Sequence, residues 1–209
     1  MANLQQTHGS RNEVVIICGM IEEIQNQAFR GWSRLRDVIF LTGDKLEVIG
    51  EYCFKQTDIA SITIPSSVKT ISSGAFHQCK KLRTVHFEQG SRLQKIGQGC
   101  FMKSQVEDIT LPSSVRTVGD QAFYQCESLK TFSVERRSKL KKIGKYCFSC
   151  SSVEEVTFPA ALEKVGRGAL EDCINLMTVW VEKGCRVNVT RLVGRCVEVR
   201  KMEEGSLVE

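Results

Sequence analysis

The sequence predicts an α/β repeat solenoid: a rod of about seven stacked coils with a parallel sheet along one face. Three observations predict it. The stretch "ITIPSSVKTISSGAF", Ile62 to Phe76, matches "ITLPSSVRTVGDQAF", Ile109 to Phe123, at a shift of 47 residues. The same shift aligns Ile24, Ile71, Val118 and Val165 in one column, Phe29, Phe76, Phe123 and Leu170 in a second, and Leu35, Leu82, Leu129 and Leu176 in a third. A shorter pattern, L-x-x-I-(G)-x-x-x-F, recurs at Val68, Leu93, Val115, Leu140 and Leu162 and divides each unit into coils of 25 and 22 residues. A period of this length marks stacked units, none of which can bury its own apolar face. At about 4.8 Å per coil the rod is roughly 35 Å long.

Each coil reads as three short pieces. The first is a period-two run such as Ile62-Thr63-Ile64 or Val85-His86-Phe87, a strand with alternate side chains inward. Pro65, Pro112 and Pro159 end that strand, because proline cannot donate to a ladder; "EQGSR" and "ERRSK" replace them with a longer polar turn in the 25-residue coils. A second extended piece holds the Leu/Val and Ile pair, and glycine at 50, 97, 119, 144 and 166 is expected to turn the backbone out of it. Ser72 and Gln25 occupy the same slot, so glycine is not strictly required there. Last, "GAFHQC" or "QAFYQC" is expected to make one helical turn with Phe and Cys inward, three residues apart.

These boundaries give an N-terminal tail at 1–13, a solenoid at 14–186 and a degenerate C-terminal cap and tail at 187–209. "EVVIICGM" aligns with "ASITIPSS", so the chain opens on the final strand of a truncated coil. Thr190 and Arg195 stand where the pattern requires Ile and Phe, as expected of a terminal cap.

The columns and the pattern L-x-x-I-G-x-x-x-F-x-x-C-x-x-L-x-x-I-x-I-P resemble the BspA-like, or Treponema pallidum-type, leucine-rich repeats, over about Val14 to Arg186. The resemblance implies a leucine-rich-repeat rod. It also implies a binding scaffold without catalytic residues, of the kind found in surface antigens and adhesins of bacteria and mucosal protist parasites.

Composition agrees with a folded chain, with 42% hydrophobic residues, and 29 basic against 24 acidic side chains leave a modest net charge of +5. The first residues carry no basic region leading into a long apolar run, and the longest such run there is Val14 to Cys18. Nothing reaches the length of a membrane span. The chain as given is therefore expected to be neither exported nor membrane-embedded, and its thiols favour a reducing compartment, whereas the resemblance favours the cell surface.

Ten cysteines invite a thiol chemistry. Yet Cys53, Cys100 and Cys147 are 47 residues apart, as are Cys79, Cys126 and Cys173, so six of them are rungs of repeating columns. Members of one column lie two coils, about 9.6 Å, apart, too far for a disulfide or a shared zinc. Small buried thiols are the expectation. The C-x-x-C of "KYCFSC" pairs a column member, Cys147, with an individual residue, Cys150. Cys150 falls one place before the column of Cys126 and Cys173 and is placed to cap a local thiol cluster; the alternative functions are therefore an intracellular interaction scaffold and, after it, a redox or metal role through Cys147 and Cys150. The redox states of Cys126, Cys150 and Cys173 stay open. His77 lies near Cys79 in sequence, but its equivalents are Tyr124 and Arg30, on the exposed side of the turn, and no third group recurs to orient a catalytic pair. Neither a catalytic residue, a metal site nor a cofactor is predicted.

"RRSKLKKIGK", Arg136 to Lys145, carries six basic residues and no acid. Such a run suggests phosphate contacts. It also reads simply as a polar turn followed by outward strand positions; no aromatic residue interleaves it, and Glu154 and Glu155 follow. Nucleic acid is not expected as a partner.

The strand centres carry the functional expectation. One residue per coil gives Ile39, Thr63, His86, Thr110, Ser133, Thr157 and Trp180, flanked on the same side by Asp37, Ser61, Thr84, Asp108, Thr131, Glu155 and Thr178. These side chains alternate away from the core and tile the open face of the sheet. The partner-binding residues predicted are Asp37, Ile39, Thr63, His86, Thr110, Ser133, Glu155, Thr157 and Trp180. Thr and Ser there also suit a solvated sheet by β-propensity alone. Trp32 falls in an inward column, but Trp180 falls in an outward one, as an interface anchor or as a residue under the cap. The function expected is non-enzymatic recognition of a protein or other macromolecule by a monomeric scaffold.

Overall fold

The computed structural model describes residues 13–41, 43–189, 192 and 197–202. Its strands, in chain order, are β1 (Val14–Cys18), β2 (Glu23–Ile24), β3 (Asp37–Leu41), β4 (Val48–Ile49), β5 (Ser61–Ile64), β6 (Thr70–Ile71), β7 (Thr84–Phe87), β8 (Lys95–Ile96), β9 (Asp108–Leu111), β10 (Thr117–Val118), β11 (Thr131–Val134), β12 (Lys142–Ile143), β13 (Glu155–Phe158), β14 (Lys164–Val165), β15 (Thr178–Glu182) and β16 (Glu198–Met202). The odd-numbered strands and β16 are long and the other even-numbered strands are two residues each, because each coil contributes one of each kind. The even-numbered strands β2 to β14 form a seven-stranded second sheet; β5, β7, β9, β11, β13, β15 and β16 form another, with β1 and β3 paired at its N-terminal end. Every pairing is parallel, as coils wound in one direction require.

The chain is thus a leucine-rich-repeat solenoid with a parallel sheet along one face. Inward positions of both sheets close a continuous core: Leu35, Ile49, Ile71, Leu82, Val118, Leu129, Ile143 and Val156 are at most 1% exposed. Burial of this kind is the main stabilising term, since no coil has an apolar core of its own. The phenylalanine column forms a spine. Phe29, Phe54, Phe76, Phe101, Phe123 and Phe148 stack ring on ring with centroids 5.2–5.6 Å apart.

The piece expected to be a helical turn is built differently. Alternate amides point out of the coil: Gly74, Phe76 and Gln78 donate to the carbonyls of Gln98, Cys100 and Met102 on the next coil, each at 2.8 Å, while Ala75, His77 and Cys79 close local turns onto Ser72, Gly74 and Phe76. A helical turn would point none of these donors sideways at the next coil; here half of them extend the stacking ladder. The alternation needs a left-handed residue at two places per coil, Gly74 and Gln78 in this one, with Gln121 and Gln125 two coils on. The glycines after the second strand also act differently from the expectation. They do not have positive φ; instead a Cβ on Gly119 would stand 2.6 Å from the Gln98 nitrogen of the preceding coil. Close approach of two backbones, not a turn, selects glycine there.

At the C-terminal end β16 adds a further parallel strand beside β15, pairing Thr178 with Glu198 and Trp180 with Arg200. Thr190 and Arg195, on which the cap expectation rested, lie outside the described residues. Among the described residues no helix is long and apolar enough to cross a membrane.

Candidate functional site

The alternation of the long strands exposes the predicted face. Asp37, Thr63, His86 and Thr110 are exposed, Ile39 is 45% exposed, and Ser133, Glu155, Thr157 and Trp180 are half-buried. Cross-strand register brings them into rows: Thr63 beside His86, Thr110 beside Ser133, Thr157 beside Trp180, and Glu155 beside Thr178. The Thr110 and Ser133 hydroxyls share a hydrogen bond of 2.7 Å. At the N-terminal end Ile39 lies beside Ile16, with Val14 and Leu41 also outward, so that end of the face is apolar.

Trp180 is neither fully exposed nor covered by the C-terminal strand. Its Nε1 donates to Glu155 Oε2 on the preceding strand at 3.0 Å, and the Arg200 guanidinium from β16 lies 5.3 Å from its ring centroid. Arg200 is itself held by Glu198, 2.9 Å away. The indole is therefore fixed in orientation by an acceptor on one side and a cation on the other, yet remains partly open to solvent. Arg200 has no column in the repeat, so sequence periodicity could not place it there. Trp32 does pack inward, edge-on to Phe29 at 5.2 Å.

The cysteines form two interlocking ladders. Cys53, Cys100 and Cys147 alternate with Ala75, Ala122 and Ala169 in one buried column. Cys79, Cys126 and Cys173 alternate with Thr57, Ser104 and Ser151 in the next, and each of these thiols donates to the carbonyl of a spine phenylalanine on the preceding coil: Phe54 at 3.0 Å, and Phe101 and Phe148 at 3.1 Å. All nine described cysteines are free thiols. Burial pushes the Cys79 and Cys173 thiols up to about 11 and Cys126 to about 12, and raises Cys53, Cys100 and Cys147 as well. The column thiols are thus held protonated at neutral pH, the opposite of what a nucleophile or metal ligand needs.

Cys150 stands apart. It occupies the second left-handed position of its coil, φ 57°, and its sulfur lies 3.6 Å from Ser149 Oγ and 3.9 Å from Asp172 Oδ2. Cys126 and Cys173 are engaged with Ser104 and Ser151, and Cys173 has Cys150 within electrostatic reach. His77 does not meet Cys79, whose sulfur bonds to Phe54 and Thr57. Desolvation, with Lys55 and Lys103 nearby, holds the His77 imidazole below its usual range. Among the described residues no group of three or more His, Cys, Asp or Glu is placed to hold a metal ion.

With this geometry in view the comparisons with known proteins are specific. A family model for the BspA-type leucine-rich repeat region matches in six copies, over residues 8–130 and 90–192. Among solved structures, the pneumococcal vaccine antigen PcpA is 25% identical with a TM-score of 0.64, over 82% of this chain and 53% of that one; the chain spans about half the length of that antigen. A T. pallidum leucine-rich-repeat protein is 22% identical with a TM-score of 0.47, over 93% of this chain and 72% of that one. No curated protein matches. The repeat columns, the two parallel sheets and the matched model together show that the chain belongs to the BspA-type leucine-rich-repeat family.

Proposed function

We propose that this repeat scaffold is a non-enzymatic recognition module that takes a protein or other macromolecular partner on its long-strand face, in the manner of an antigen or adhesin repeat domain. The observation that carries the reading is Trp180, an indole left partly open on the outer face and fixed by Glu155 and Arg200. An oriented aromatic in a ring of polar groups is the side chain that interfaces use as an anchor, because its desolvation on binding contributes at little entropic cost. The Thr, Ser and His rows beside it supply hydrogen-bonding groups on a flat surface. The likeness to a pneumococcal antigen supports the same reading.

The test is affinity capture from extracts of cells and of their surroundings, comparing the wild-type chain with Thr110→Lys/Thr157→Lys on the face and Lys80→Glu/Lys183→Glu off it. A partner retained by the wild type and the off-face variant and lost by the face variant supports the reading. Equal recovery by all three sinks it.

A further inference from the structure

The second sheet carries a feature that the recognition face does not use. Residues 135–145 contain six basic side chains and one acidic, a surplus of five that equals the net charge of the entire chain. In sequence they look like one polar turn. In the fold the outward positions of β12 pair with those of its neighbours, so Lys142 stands in one row with Thr117, Lys95 and Lys164. Arg116 lies in the adjoining row, its carbonyl taking the Lys141 amide, and Lys145 and Arg167 follow the second strand on neighbouring coils. Lys95, Arg116, Lys142, Lys145, Lys164 and Arg167 are all exposed, and none has a carboxylate within ion-pair distance among the described residues.

Asp120 and Glu163 lie among these residues and keep their charge, so the band is basic by excess. Glu135 accepts the Ser113 amide at 2.8 Å, Asp120 accepts the Lys145 amide at 2.8 Å, and Glu163 pairs with Lys141 at 2.9 Å. Four coils therefore present a band of positive charge on a regular lattice, with rungs about 4.8 Å apart. Like charges so arranged repel one another, and a flexible anion laid along them would relieve that repulsion and release its counterions.

The composition of the band selects its occupant. The exposed large hydrophobic residues, Val14, Ile16, Met20, Ile39, Leu41, Ile174, Met177 and Val199, lie elsewhere, so there is no apolar anchor for a protein hot spot or for insertion into a bilayer. The aromatic beside the band, Tyr146, is half-buried with its ring laid over Gly168, and a sheet of two-residue strands has no element that enters a groove. What remains is a polymer recognised by evenly spaced fixed charges. We infer that the second sheet, across β8, β10, β12 and β14, is a docking surface for a linear acidic polysaccharide bearing sulfate or carboxylate groups.

The experiment measures binding of the full chain to a heparin-derived oligosaccharide by calorimetry across a salt series. A 20-base-pair DNA duplex and vesicles of phosphatidylserine serve as competitors of equal charge. Lys95→Glu/Lys142→Glu/Lys164→Glu is compared with Lys80→Glu/Lys130→Glu/Lys183→Glu, which changes net charge equally away from the band, and circular dichroism checks folding. The alanine version of the first triple replaces it if the reversal unfolds. The expected result is salt-sensitive oligosaccharide binding that the band triple weakens by at least about tenfold and the control triple by less than about threefold. No binding by the wild type, equal losses in both triples, or tighter binding to duplex or vesicle than to the oligosaccharide overturns the inference.

Discussion

The Cys79 thiol donates to the Phe54 carbonyl, 3.0 Å away on the preceding coil, and shares a 3.5 Å contact with the Thr57 hydroxyl. That bond sits in a column that alternates with the same two-coil period as the sequence. Where one coil places a hydroxyl in this column the next places a thiol, and where the neighbouring column has cysteine the next coil has alanine, so two coils are needed to complete the pattern.

Cys79→Ser therefore keeps the donor and, at pH 7, changes stability by about 1 kcal/mol or less. The pH dependence separates the two proteins. The folded thiol titrates at about 11 against an ordinary 9.0, so the unfolded chain loses its proton first. The stabilisation is complete below pH 9 and is lost as pH rises toward 11, about 2–3 kcal/mol over that window. Denaturant unfolding from pH 8 to 11 should show serine gaining on wild type; parallel curves would contradict the assignment.

Cys100→Ala is expected to be mild, about 1 kcal/mol, because alanine already fills that column at Ala75 and Ala122. Phe101→Ala, one residue on, removes a ring stacked between Phe76 and Phe123 and should cost about 3–5 kcal/mol. Urea midpoints of the two variants check the contrast, and similar losses would show that the spine is not the dominant packing element.

Gly119→Ala forces a methyl against the Gln98 backbone nitrogen and should cost at least about 1–3 kcal/mol, since neither backbone can retreat without breaking the ladder. A neutral thermal shift would mean that the coils are less tightly stacked than described.

His77 contributes an acid limb. Its folded imidazole is held below the ordinary 6.5, so the unfolded chain binds the proton first, and stability is complete above pH 6.5 and falls as pH drops through and below it. His77→Gln should flatten the stability profile between pH 7 and 5. An unchanged slope would assign the acid sensitivity to other groups.

The burial pattern of the repeat was legible in the sequence, whereas its backbone conformation and the contacts between coils were not. Ile71, Phe76 and Leu82 recur at a fixed shift, so their burial and the strand alternation follow from period alone. The left-handed Gln78 and Gln125 give no such signal, because glutamine has no marked preference for positive φ, and only the stacked carbonyls of Met102 and Ser149 require it. Gly119 was visible as a column but its reason was not: close approach is a property of two coils. Trp180 was placed on the outer face, whereas Arg200, which stacks on it, lies beyond the repeat. Lys95 and Lys142 share a repeat column, but their place in one row with Lys164, and with Arg116 in the adjoining row, belongs to the stacked coils.

If the long-strand face is the recognition surface, Trp180 is its anchor. The most direct measurement is the affinity of a captured partner for Trp180→Ala, taken beside the variant's unfolding free energy. Binding weakened by at least about tenfold, the size of an anchor's contribution, is expected, with stability lowered by no more than about 1–2 kcal/mol. Unchanged affinity together with a loss of about 3–5 kcal/mol in stability would make Trp180 a packing residue beneath β16 and contradict its role as an anchor.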